Sequence, residues 1–215
     1  MSWELDHLIV AAATLAEGAA WCEATFGVAP GPGGKHPLMG THNRLLALGG
    51  EAFPRSYLEI IAIDPEAPAP SRRRWFDLDD AAMLRSLADG PRLIHWVARC
   101  TDVADECAAL ARAGIDRGEV LAAERDTPQG LLRWRIAVRP DGQRLFGGAL
   151  PTLIEWGAVH PADHLPPIPL RLRALELPPL PVAAHDLLPS AARTGAVFAA
   201  EFDAPNGAIR LEGHA

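Results

Sequence analysis

Alternating apolar positions open the chain: in residues 3–11, Leu5, His7 and Ile9 fall on one side of a predicted strand. Thr14 then offers an N-cap, and Glu17 the partner of a capping box, so a helix is predicted from there to Phe26, ending at Gly27. Residues 30–34 are turn chemistry. Residues 41–48 and 56–63 read as strands joined across Gly49 and Gly50. The second of these strands, Tyr57-Leu58-Glu59-Ile60-Ile61-Ala62-Ile63, is apolar on both faces apart from Glu59. A carboxylate there points into a core or a cavity and needs a cation, a proton or a good hydrogen-bond donor.

The pattern then breaks and resumes. Pro65, Pro68 and Pro70 forbid a central strand, and residues 78–88 have helical spacing, so residues 65–91 read as a linker with one short helix that Trp75 and Phe76 anchor or use as a lid. Residues 92–99 repeat the opening, with Leu93, His95 and Val97 alternating on a strand. Thr101 or Asp102 caps a helix through Ala113, and Gly114 stops it. Residues 119–124, 131–138 and 149–159 supply further strands, the last carrying Glu155 among apolar residues. Residues 1–64 and 92–160 are thus expected to be copies of one module. A weaker third unit, residues 161–215, has strands at 170–177, 196–202 and 208–212 and a helix at 182–192.

Composition narrows the partners. With 215 residues, 49% of them hydrophobic and 22% charged, the chain can bury a sizeable core. A net charge of -7 and no basic run longer than Arg72-Arg73-Arg74 argue against nucleic acid or an anionic membrane, leaving a small molecule as the expected partner. Cys22, Cys100 and Cys107 have neither a zinc-ribbon nor a disulfide spacing. With no secretory signal or membrane-spanning run, a cytoplasmic protein is expected.

Two units each place a histidine in the first strand and a glutamate in the last: His7 with Glu59, and His95 with Glu155. Two imidazoles and two carboxylates suit a divalent first-row metal with room for water or substrate. Taken singly, each histidine is more readily a hydrogen-bonded core residue. Glu59 could equally pair with Arg44, and Glu155 with Arg133 or Arg135. Recurrence of the pair in both units favours a shared site. A second cluster is His36, His42, Asn43 and Arg44; if His42 and Arg44 face the same cavity as Glu59 they could bind an anionic or carbonyl-bearing substrate, with His42 as a proton relay. His36 reads equally well as a loop histidine. Trp96, Trp134 and Trp156 read as core, and His160 has no assigned role.

The opening Leu5-Asp6-His7-Leu8-Ile9-Val10, the run His36-Pro37-Leu38-Met39-Gly40-Thr41-His42-Asn43-Arg44-Leu45-Leu46 and Tyr57-Leu58-Glu59-Ile60-Ile61-Ala62 resemble the glyoxalase-like domain family, and through it the vicinal oxygen chelate superfamily. The resemblance implies an α+β fold of paired βαβββ modules forming an open, cupped sheet, here with a third partial module at the C-terminus. It places metal ligands at His7, Glu59, His95 and Glu155, around a zinc, nickel, cobalt, iron or manganese ion. It further implies isomerase or lyase chemistry, with Glu155 as the base that takes a proton beside a carbonyl. The alternatives are an extradiol-type dioxygenase using His7, His95 and Glu155, and a metal-free protein that binds or sequesters a small molecule. Either one chain completes the site or a homodimer shares it.

Overall fold

The computed structural model describes residues 3–128 and 130–214. The first unit comprises β1 (Glu4–Ala11), α1 (Leu15–Phe26), β2 (Lys35–His36), β3 (Thr41–Leu48) and β4 (Ser56–Ile63). The intervening segment contains α2 (Ala81–Leu87), and the second unit comprises β5 (Arg92–Arg99), α3 (Val103–Arg112), β6 (Glu119–Thr127), β7 (Gly130–Val138) and β8 (Thr152–Trp156). These form one eight-stranded sheet in the order β2-β3-β4-β1-β5-β8-β7-β6. Each unit's fourth strand runs parallel to its first, and the first strands meet antiparallel at the centre. The order reads as one module and its mirror across β1 and β5, the paired βαβββ arrangement that the family resemblance implies. Among the described residues no helix is long and apolar enough to cross a membrane.

The capping chemistry works as the residues require. The Thr14 hydroxyl accepts from the Glu17 amide, and Gly27 closes α1 in the left-handed region at φ 72°, where a Cβ would be costly. Asp102, not Thr101, caps α3.

The sheet is buried on both faces, which explains strands apolar throughout. One face packs on α1, α3 and a second sheet, through Leu8, Leu58, Ile60, Trp96 and Leu153. The other is the inside of the cup, lined by Ile9, Ile61, Val97, Leu132, Trp134 and Ile154 and partly filled by Trp75 and Phe76 from the intervening segment.

The C-terminal unit contains β9 (Arg171–Leu177), α4 (Val182–His185), β10 (Ala192–Thr194), β11 (Ala199–Ala204) and β12 (Gly207–Glu212). Its element order is that of a module, but its strand order is β10-β9-β11-β12, with the first strand beside the second and third. The predicted helix over 182–192 stops after one turn and gives way to β10. This sheet packs over α1, with Phe202 edge-on to Phe26 at 5.1 Å and the Asn206 amide donating to the Ala24 carbonyl.

Helix α1 approaches β4 through Gly18, where a Cβ would lie 2.4 Å from Ile60 Cγ2. Gly18→Ala would gain about 1 kcal/mol in helix propensity but would overpack a fully buried contact, a cost of about 1–3 kcal/mol. A net loss of stability is expected in urea denaturation; a variant at least as stable as the parent would contradict this packing.

Candidate active site

The interior of the cup concentrates its polar groups at one place. Neighbouring strands set it: β4 lies between β1 and β3, with Glu59 in register with Ile9 on one side and Leu45 on the other. The His7 and Asn43 side chains converge on Glu59. The Asn43 amide donates to Glu59 Oε1 at 2.6 Å, and His7 Nε2 lies 3.3 Å from Glu59 Oε2. Asn43 cannot turn freely, because its Oδ1 accepts from the Gly34 amide at 2.7 Å. Glu59 therefore does not pair with Arg44, which is exposed on the other side of β3.

His7 is held from behind. Its Nδ1 lies 2.7 Å from Asp6 Oδ1, a pairing of sequence neighbours that a regular strand would point apart. An irregularity in the β1–β5 register between Leu5 and His7 brings them together. Asp6 is fully buried, and its other oxygen takes His160 Nε2 and Trp156 Nε1, each at 2.9 Å, and Arg99 Nη1 at 3.3 Å. The His7 ring stacks on Tyr57 at 4.6 Å.

The charge states follow. Burial alone would pull His7 down, but hydrogen bonds and charge from Asp6 and Glu59 outweigh it and raise its pKa to about 9. Burial would raise Glu59, yet the hydrogen bond and charge of His7 and the Asn43 amide, joined in acid by protonated His36, bring it down to about 2. Asp6, likewise buried, is held well below the usual carboxylate range by His160 and His7. Near neutral pH, then, an imidazolium sits between two carboxylates.

His36 completes the cluster. Its short strand β2 pairs with β3, its Nδ1 lies 3.0 Å from Thr41 Oγ1, and its Nε2 faces Asn43 Nδ2 at 3.3 Å and Glu59 Oε1 at 3.9 Å. The Asn43 amide can only donate, so Nε2 carries the lone pair and Nδ1 the proton. Burial lowers the His36 pKa to about 4 against the pull of Glu59, with the Arg125 and His7 charges adding to the drop. Two histidines beside one carboxylate thus hold opposite charge states.

The remaining predicted residues lie elsewhere. His95 is fully buried behind Phe76, with its rings 5.2 Å apart from that side chain. Its Nδ1 lies 3.0 Å from the Gly148 carbonyl, and its Nε2 accepts from the Thr152 amide at 3.1 Å, so both nitrogens are used. Glu155 accepts from Arg135 at 3.0 Å and from the Val103 amide at the start of α3 at 3.1 Å. On β8 it is Ile154 and Trp156 that line the cup, and the adjacent residue Glu155 faces away. His42 stands 3.9 Å from Asp64, outside the cluster. Of the expected set the structure brings together His7, Glu59 and Asn43. From the second expected cluster it also brings in His36; it adds Asp6, Tyr57, His160, Trp75 and Arg125, and it uses Trp134 and Trp156 as cavity wall.

A divalent ion can be tested against these donors. Among the described residues no three His, Cys, Asp or Glu side chains stand arranged to hold one, and His95 and Glu155 are excluded by their own bonds. His7 and Glu59 do fit. Their 3.3 Å separation matches two donors sharing a metal at about 2.0–2.2 Å each, and Asp6 on Nδ1 is the carboxylate that commonly orients a ligating histidine. The space beside them is about 40 Å³, room for an ion and water.

Fold and site together define an α+β protein of paired βαβββ modules with one histidine–carboxylate cluster inside the cup. The chain belongs to the Glyoxalase-like domain family, which matches residues 5–212. Similar solved structures include a hypothetical protein from Staphylococcus aureus, 13% identical over 98% of this chain and 86% of that one, with a TM-score of 0.58. They also include a variant of Streptomyces coelicolor methylmalonyl-CoA epimerase in complex with 2-nitronate-propionyl-CoA, 20% identical over 74% of this chain and 99% of that one, TM-score 0.44. The epimerase of Mycobacterium tuberculosis is 18% identical over 71% of this chain and 86% of that one, TM-score 0.41. No functionally curated protein matches the chain.

The charge states make stability peak near pH 6.5. Below that value the unfolded chain protonates His36 and His95, which the fold keeps neutral, so stability falls with acid. Above it the unfolded chain loses the proton that folded His7 retains to about 9, so stability falls again, by about 2–3 kcal/mol across that interval. Thermal melts of chelator-treated, metal-free protein from pH 4 to 9 should show both limbs, and His7→Gln should flatten the alkaline one. An unchanged alkaline limb in that variant would refute the clamp.

Proposed function

We propose that the chain is a metal-dependent enzyme of isomerase or lyase type that moves a proton on the carbon beside a carbonyl of a small oxygenated metabolite. The observation that carries this reading is the His7–Glu59 pair, two donors at metal-sharing distance, with Asp6 behind the histidine. A divalent ion held there would act as a Lewis acid on a substrate carbonyl oxygen. Which ion it is remains for measurement. The chain's own groups do the rest. His36, neutral and with its unprotonated Nε2 accepting from the Asn43 amide, takes the proton there as that hydrogen bond yields and then returns it, a role the resemblance had placed on Glu155. Asn43 holds Glu59 and His36 in mutual register, and Trp75, Phe76 and Trp134 keep bulk water from the cluster.

A second reading has its own support. The Asp6–His7–Glu59 array is electrostatically complete with a proton in place of the ion, which suits a metal-free protein that binds a small molecule. The extradiol reading loses its ligand triad, because His95 and Glu155 are engaged elsewhere.

Elemental mass spectrometry of the purified protein separates the readings. Near-stoichiometric metal is expected in the parent, lost in His7→Ala and Glu59→Gln and retained in Glu155→Gln. A parent that stays metal-free after incubation with manganese, iron, cobalt, nickel and zinc would overturn the enzyme reading in favour of the binding protein.

A further inference from the structure

Two buried hydrogen-bond donors in the wall of the cup lack a partner. Arg125, on β6, lines the inner cavity together with His7, Glu59 and Trp75, and its Nη1 is buried without a partner. The indole Nε1 of Trp75, in the same wall, is also buried without a partner. Such donors are costly to leave unmet, and an arginine in this position has no intramolecular carboxylate at ion-pair distance among the described residues. Lys35 nearby is not in the same condition, since Asp64 and Glu66 both hold its amine.

Arg125 also opens outward. It borders a second cavity of about 460 Å³, shared with Leu45, Leu132 and Pro161 of the inner one and extended by Gly33, Gly34 and His164. The guanidinium therefore stands where a molecule in the larger cavity would reach the small cluster. Its seat is shaped for it: a Cβ on Gly34 would lie 1.9 Å from Nη1, so the loop at residues 30–34 leaves room for the head group only by being glycine there.

We infer that Arg125, assisted by the Trp75 indole N–H, is the receptor for an anionic oxygen group, carboxylate or phosphate, on the molecule that enters the cup. A guanidinium presents paired donors that match either anion. The inference rests on the reading of the cup as the ligand site, and it names the substrate class: an oxygenated compound carrying a negative charge.

Three probes share one hydroxyketone unit and differ only at the far carbon: dihydroxyacetone is neutral, hydroxypyruvate carries a carboxylate, and dihydroxyacetone phosphate carries a phosphate. Binding is followed by tryptophan fluorescence, since Trp75, Trp134 and Trp156 line the site, with protein as purified and after metal removal by a chelator. The parent should bind at least one anion about tenfold or more tightly than dihydroxyacetone, and which anion is preferred identifies the group. In Arg125→Gln that preference should fall to about one. Gly34→Ala, which keeps the charge but displaces the guanidinium, should reduce it in the same direction. A parent without preference for either anion, or a preference that survives in Arg125→Gln, overturns the proposal. So does a preference that disappears with the metal and not with the arginine. If the preference persists in chelated protein, the anion site stands even where the metal reading has failed.

Discussion

The structure is organised around a buried carboxylate that must not be left alone. Glu59 sits in the middle of a strand with Ile60 and Ile61 on either side of the sheet, and an uncompensated charge there would cost several kcal/mol. The sheet answers it from both neighbouring strands, β1 bringing His7 and β3 bringing Asn43. Because β4 runs parallel to β1 and antiparallel to β3, the register that satisfies Glu59 is the same register that buries the apolar faces. A slip of one residue would carry Glu59 to the helix-packed face, away from His7 and Asn43. Stability of the sheet and geometry of the site are one constraint.

The second module takes part without forming a second site. Asp6 gathers His160, Trp156 and Arg99, all from the second module or the segment after it, so the group that orients His7 is itself held by the other half of the sheet. At the matching place in that half, Trp75 and Phe76 fill the cup and His95 has turned its nitrogens to Thr152 and Gly148. A duplicated fold offers two equivalent places. Here one holds charge and the other holds aromatic packing.

Most of the fold was legible in the chain, and about half of the site. The repeat, the helix caps and seven of the eight strands follow from period-two runs and helix signals, which are local; the two-residue β2 is too short to show in a pattern, and the cupping of the sheet came from the family resemblance. Glu59 was visible because a lone charge in a fully apolar strand has few explanations, and His7 because it alternates with Leu5 and Ile9. Glu155 misled because its neighbours are equally apolar. In a strand buried on both faces, pattern cannot say which parity faces the cup, and the choice falls to Leu153 packing against the helices. Arg44 and His42 misled for the same reason, one residue either side of Asn43. Asp6 was hidden by the rule that neighbours on a strand diverge, which the irregularity in β1 suspends. Arg125 and His160 were invisible because what makes them notable is what surrounds them, and those surroundings come from strands distant in sequence.

The two histidines at Glu59 show how little is needed to separate their chemistry. Both are buried and both face the same carboxylate, so burial and Glu59 act on them alike. What differs is the far nitrogen: His7 meets the Asp6 carboxylate, whereas His36 meets a neutral hydroxyl and lies within the field of Arg125. One ring is therefore held positive at a pKa of about 9 and the other neutral at about 4, with ordinary imidazole between them. The distinction depends on the charge already present in the cavity. A divalent cation that took the place of the His7 proton would raise the net charge of the Asp6–His7–Glu59 array from −1 to zero, and His36 would remain neutral beside it. An incoming anion would do the reverse, offsetting Arg125 and raising the basicity of His36. The cluster is thus arranged so that the arrival of a negatively charged molecule would itself make the neutral histidine a better proton acceptor.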